Sequence, residues 1–135
     1  MSWILDTAAR TLWQEARGEP QEGRQAVAHV MWNRVRLGQW GPNLATVCLW
    51  RSQFSGWLSA DPNFREACIL SDLDPMLQEL KAVLINAQAE ADPTNGATHY
   101  YAASMNPPPD WAATMTFVGQ FGNQKFYRKG AALVA

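Results

Sequence analysis

Proline signals divide this chain before any other property does. Gly18 with Pro20, then Gly41-Pro42, Asp61-Pro62, Asp74-Pro75 and Asp92-Pro93 cut residues 1–93 into helix-length pieces. Ser2 can cap a helix from Trp3 to about Arg17, which Gly18 ends. Pro20 stands where a first helical residue belongs, and a second helix runs to Leu37 before Gly38 stops it. Residues 43–59 read as irregular, with one short apolar piece. Asp61-Pro62 opens a short helix to about Leu70. Asp74-Pro75 opens a longer one to about Glu90, with Leu77, Leu80, Leu84, Ala87 and Ala91 on one stripe. Beyond the turn cluster 92–96, Thr98-His99-Tyr100-Tyr101 and Thr116-Phe117-Val118 read as extended. Gly122-Asn123, between Phe117–Phe121 and Lys125–Tyr127, reads as a hairpin turn. Pro107-Pro108-Pro109 fixes an extended loop leading to Trp111. The expected fold is α+β and mainly helical, a single domain over residues 1–135 with a small C-terminal β-hairpin.

One carboxylate in the first helix breaks its pattern. At 100° per residue, Ile4, Leu5, Ala8, Ala9, Leu12, Trp13 and Ala16 cover an arc of about 180°. Asp6, Thr7, Arg10, Thr11, Gln14 and Arg17 fill the other side. Glu15 falls inside the apolar arc at the helix end, where partial desolvation favours a protonated carboxyl, the property of a general acid. A structural reading, with Glu15 snorkelling to water or capping a turn, stands beside it. Glu19 lies past Gly18 and just ahead of the second helix, whose dipole favours an ionised, structural carboxylate. Arg34 sits on the apolar face of that helix among Ala26, Val27, Val30, Met31, Val35 and Leu37, so it needs a carboxylate partner. Glu19 is close enough in sequence to answer it; pairing with Glu15 would instead work against a general acid there.

Composition excludes several classes. Apolar residues make up 47% and charged ones 17%, a globular balance. A net charge of −1, without a run of Lys or Arg, offers nothing to nucleic acid. No segment is long enough to insert in a membrane, and a monomer is expected. The N-terminus lacks a basic region followed by an apolar run, so no secretory signal is read. Cys48 and Cys68 set no disulfide framework and are expected to be two small buried hydrophobes. His29 and His99 stand in no metal-binding spacing. A Cys–His nucleophile pair remains open as a peptidase reading.

The aromatic supply points to sugars. Trp40, Trp50, Trp57, Tyr100, Tyr101 and Trp111 lie in or beside expected loops, and sugar rings stack on such faces. Asn33, Gln53, Asn106, Asn123 and Gln124 can meet hydroxyl or acetamido groups, or equally cap turns.

Several ordered blocks resemble a known family. They are Glu15-Ala16-Arg17-Gly18-Glu19-Pro20, Glu22-Gly23, Ala26-Val27-Ala28, Asn33-Arg34-Val35, Gln53-Phe54-Ser55, Gly96-Ala97-Thr98-His99-Tyr100-Tyr101, Pro108, Trp111 and Gly122-Asn123-Gln124-Lys125-Phe126-Tyr127. Together they resemble the cell-wall hydrolases of the spore cortex-lytic type, from about Leu12 to Arg128. The resemblance implies a lysozyme-like catalytic domain that cuts peptidoglycan glycan strands between N-acetylmuramic acid and N-acetylglucosamine. It implies no metal or organic cofactor, and puts the essential acid on Glu15. Family members act as lytic transglycosylases or muramidases, and relatives occur as phage lysis enzymes. Gln53, Tyr100, Tyr101 and Trp111 are the candidates for substrate contact, with Glu19 and Arg34 structural beside the site. The chain departs from the family at Gln124, where a histidine is usual. With no leader or wall-binding domain read, an endolysin-like role, reaching the wall through a phage holin, is expected over spore germination. No second carboxylate marks itself beside Glu15, which favours a single-acid mechanism giving 1,6-anhydro products over one using water. A non-catalytic glycan-binding module is the alternative from another class.

Overall fold

The computed structural model describes residues 2–50 and 62–130. Among these residues, five helices lead into a three-stranded sheet: α1 (Trp3–Ala16), α2 (Gln21–Leu37), α3 (Leu44–Leu49), α4 (Pro62–Ile69), α5 (Pro75–Ala89), β1 (His99–Ala102), β2 (Thr116–Phe121) and β3 (Gln124–Arg128), with a 3-10 turn at Asp110–Thr114 before β2. The caps are those the sequence supplies. Ser2 Oγ accepts from Ile4 N at 3.1 Å, and Asp74 Oδ1 accepts from Leu77 N at 3.0 Å. Gly38 takes the left-handed conformation that closes α2. Pro20 is the N-cap of α2 rather than its first helical residue. The irregular stretch after Gly41-Pro42 contains α3, held by a capping box in which Asn43 and Thr46 exchange side-chain and backbone hydrogen bonds.

α2 is the central helix. Ala26 through Met31 are buried without interruption, as expected of a helix covered on all sides. α1 packs on α3 and α5, and α2 on α5 and α3. The small side chains of Ala8, Ala9, Ala16, Ala26 and Ala28 allow close approach, while Leu12, Val27, Met31, Leu77, Leu80 and Leu84 fill the interior. The α5 stripe is buried as expected except for Ala91, which lies beyond the helix and is exposed.

The polar side of α1 is not a solvent face. Arg10, placed there by phase, is 9% exposed. Its Nη1 donates to the carbonyls of Ala67 and Leu70 at 2.7 and 2.9 Å, and its Nε and Nη2 pair with Asp6 and Asp72. Arg10 thus satisfies carbonyls at the end of α4 that have no intrahelical donor. Thr11 is buried as well, with its hydroxyl donating to the carbonyl of Thr7. Histidine does similar work under α5. His29, fully buried, meets Glu90 through Nε2 at 2.8 Å, and Asn33 donates to Asp92 at 2.8 Å. These contacts hold the turn from which β1 departs.

The sheet is antiparallel with order β1-β3-β2, so the expected hairpin gains a third strand. Tyr100 stands opposite Phe126, and His99 opposite Tyr127. Phe126 is fully buried against the helices, which makes this the inner face of the sheet.

Candidate active site

The end of α1 and the inner face of β1 meet at Glu15. Glu15 is half-buried, and its Oε1 accepts a hydrogen bond from the Tyr100 hydroxyl. Tyr100 owes its position to strand alternation: its ring packs 5.3 Å from Phe126 and its hydroxyl passes beyond into the helical layer. Burial, and then the charge of Glu15 and the bond to it, push the phenol well above its ordinary pKa. It therefore remains a donor to the carboxylate.

Arg34 lies beneath. It is 5% exposed, its Nε donates to the carbonyl of Thr98 at 2.8 Å, and its guanidinium lies 4.8 Å from the centre of the Trp40 ring. Burial lowers its pKa, and the negative poles of Tyr100, Cys48 and Glu15 oppose that shift. Glu15, not Glu19, is thus the carboxylate within its electrostatic reach. Glu19 instead faces the hairpin, accepting from Asn123 N at 2.8 Å. It keeps its expected place beside the start of α2, where its side chain lies against Gly23.

The sequence-derived substrate residues divide into two groups. Tyr100 is brought to Glu15. Tyr101 and Trp111 meet each other on the outer face, at 5.7 Å between ring centres, with Tyr127 5.6 Å from Tyr101 and 5.5 Å from Trp111. His99 and Phe117 extend this aromatic wall. Beside it is a cavity of about 440 Å³ lined by Tyr101, Tyr127, Pro108, Pro109 and Asp110. β1 is an edge strand, so only its thickness separates the two groups. Sequence alone does not offer His99 and Tyr127 for this wall: alternation along His99-Tyr100-Tyr101 puts His99 on the face of Tyr101, and Tyr127 joins it through the β1–β3 register. Gln53 and Trp57 lie outside the described residues.

Other candidates take structural positions. Trp40 is 6% exposed and belongs to the core, while Asn33 is buried between Asp92 and the carbonyl of Ala97. Gln124 presents a buried Oε1 with no hydrogen-bond partner. Cys48 is buried, but Cys68 is exposed, against expectation. Burial pushes the Cys48 thiol up to about 12, the reverse of an activated nucleophile. His99 is lowered to about 4 by burial and by the charges of Arg34 and Lys129. Among the described residues no group of three or more His, Cys, Asp or Glu side chains could hold a metal ion, and no helix is long and apolar enough to cross a membrane.

The family model for cell wall hydrolases matches residues 18–127. The chain belongs to that family. Glu15 lies just outside the matched span, so the match does not bear on it. The hydrolase also matches two solved structures in fold. One is the catalytic domain of the germination-specific lytic transglycosylase SleB from Bacillus anthracis, with TM-score 0.73 and 22% identity over 95% of this chain and 97% of that one. The other is the catalytic domain of the Bacillus cereus SleB protein, with TM-score 0.74 and 22% identity over 93% and 89%. No curated protein sequence matches. The hydrolase is thus a wall-degrading enzyme with the fold of the SleB catalytic domains.

Proposed function

We propose that this hydrolase cleaves the β-1,4 bond between N-acetylmuramic acid and N-acetylglucosamine of peptidoglycan as a lytic transglycosylase, with Glu15 as acid and then base. The observation that carries the reading is the placement of Glu15: a half-buried carboxyl at a helix end, where desolvation favours the protonated acid, bonded to the Tyr100 hydroxyl; Arg34, whose charge reaches it, works against the acid and favours the carboxylate that serves as base in the second step. The B. anthracis neighbour in fold is itself called a lytic transglycosylase.

In the first step Glu15 gives its proton to the glycosidic oxygen. The C1–O bond breaks, and positive charge develops on the muramic sugar. Tyr100 and Arg34 then present positive poles to the carboxylate that remains. In the second step the C6 hydroxyl attacks C1 and returns its proton to Glu15, which closes a 1,6-anhydro ring and restores the acid. Glu19 is engaged by Asn123, which supports a mechanism with one carboxyl group. Trp111 and the cavity that Tyr101 lines are assigned to contact along the glycan strand, Tyr101 itself being only 9% exposed, and Gln53 is assigned the same role from the sequence alone.

Turbidity clearing of purified peptidoglycan by wild type and Glu15→Gln tests this, with circular dichroism to check the fold. Glutamine keeps the shape and cannot donate a carboxylic proton, so a folded but inactive variant is expected. Full clearing by the variant would overturn the assignment. Mass spectrometry of the released muropeptides is expected to show anhydro ends; products carrying added water would make the enzyme a muramidase.

A further inference from the structure

A second cavity, of about 270 Å³, opens between the end of α2 and the end of β3. Arg36, Arg128 and Lys129 line it together with Asn33, Leu37 and Thr98. None of the ion pairs among the described residues involves these three cations. Asp92, which shares Asn33 with Arg36, is turned onto Asn33, Thr94 and Gly96. Arg36 and Lys129 are exposed, and each holds only a neutral partner, Asn33 Oδ1 and Gln39 Oε1, both at 2.9 Å.

Arg128 is the informative member. It is 6% exposed, its Nε has no hydrogen-bond partner, and its Nη1 has only the carbonyl of Asn95 at a long 3.4 Å. A buried guanidinium without an anionic partner is costly. The carbonyls that end α2 do not account for it: Gly38 N already takes those of Arg34 and Val35, and Arg128 bonds neither. The site also adjoins the catalytic region. The Thr98 carbonyl accepts from Arg34, and the Trp40 ring has Arg34 4.8 Å and Lys129 5.4 Å from its centre.

We propose that this cavity is an anion subsite that takes a carboxylate of the peptidoglycan stem peptide. Its volume falls below the roughly 300–1,000 Å³ of sites for whole small ligands and suits the charged end of a longer chain. The planar Arg128 guanidinium matches a carboxylate, and Arg36 and Lys129, both exposed, line the same cavity. The stem peptide is favoured over other wall anions because it is borne by the muramic sugar on which Glu15 acts, so the assignment of ligand rests on the proposed function.

The test measures binding to the Glu15→Gln chain, which removes cleavage from the readout. The probe is a synthetic stem tripeptide of L-alanine, D-glutamate and diaminopimelate, followed through the Arg128 Nε–H resonance. The free-carboxylate form is expected to bind and to shift that resonance, whereas the tripeptide with its carboxylates amidated is expected not to bind. Arg36→Gln and Lys129→Gln, both at exposed positions, are expected to weaken binding by about tenfold each, as for loss of one charge-assisted contact. Equal binding of both forms, or binding of neither, would overturn the subsite. Tighter binding of glycerol phosphate than of the tripeptide would overturn the stem-peptide assignment in favour of a phosphate polymer. Failure of the proposed function is a separate result: tripeptide binding by a chain that never clears peptidoglycan leaves the subsite standing and removes the glycosidase.

Discussion

Glu19 Oε1 accepts the backbone N–H of Asn123 at 2.8 Å, tying the segment after α1 to the tip of the β2–β3 hairpin across a gap that Gly122 keeps open. A Cβ on Gly122 would stand 2.5 Å from that same Oε1 and 3.0 Å from Cδ of Pro20, and the backbone there has φ +60°. The carboxylate can swing away, but only by giving up Asn123. The left-handed backbone also costs an ordinary residue about 1–2 kcal/mol. Gly122→Ala is therefore expected to destabilise the protein by about 2 kcal/mol or more, lowering Tm by roughly 5–10 °C. Gly18→Ala is the control, since nothing lies within 4 Å of its Cβ position. A melt in which both variants match wild type would show that the strap contributes nothing.

That strap marks where sequence reading stops. Gly122-Asn123 is legible as a turn and Glu19 as a structural carboxylate, yet nothing in their spacing of 104 residues joins them. Local signals fared better: Ser2, Gly38 and Asp74 each do what their chemistry prescribes. Helical phase gives an angle around α1 but not the identity of the neighbour, so it sets Arg10 and Thr11 opposite the apolar arc without showing that both are buried and that α4 covers Arg10. α3 is too short to show periodicity, although its capping box was there to be read. At the site, phase puts Glu15 away from open solvent, and the side chain is half-buried, although Asp6 on the opposite arc is half-buried as well. The partner of Glu15 was not legible, because Tyr100 reaches it from 85 residues away across the sheet.

Removing that partner should separate chemistry from folding. Tyr100→Phe keeps the ring on Phe126 and deletes only the hydroxyl that donates to Glu15. With Glu15 in its proposed role, loss of one hydrogen bond to it, of about 1.5 kcal/mol, corresponds to roughly a tenfold fall in kcat. The stability change should be small, because the only group left behind is the Glu15 acceptor, which is half-buried rather than sealed from water. Clearing rate and thermal melt on the same preparation check this. An unchanged rate would remove Tyr100 from the site, and a collapsed melt would make its role structural.

The two cysteines should differ sharply in reactivity. Cys48 is buried with its thiol pushed up to about 12, so near pH 8 it carries almost no thiolate, while Cys68 is exposed. Iodoacetamide on the native protein is expected to add one label, at Cys68, with the second appearing only after denaturation. Peptidoglycan clearing should survive that single label and the Cys68→Ser change alike. Mass spectrometry counts the labels. Rapid native labelling of Cys48, or loss of clearing on modification of Cys68, would revive the cysteine peptidase reading.

His99 sets a pH window of its own. Burial, together with the charges of Arg34 and Lys129, holds its folded pKa at about 4, against about 6.5 for an unperturbed histidine. Between those values the unfolded chain binds a proton that the folded one does not, so stability falls as pH drops from about 6.5 toward 4. The carboxylates act in a lower window. Burial works against Asp92, but donors from Thr94, Asn33 and Gly96 keep it below its ordinary value, and Gln25 and His29 do the same for Glu90. Both therefore contribute stability that is lost only as pH falls through the acid range below about 4. Urea midpoints at pH 7.5, 5.5 and 4.5 are expected to decline in wild type and to decline less in His99→Gln, which has no ring to protonate. A variant that retains the full wild-type slope would place the acid sensitivity at another group.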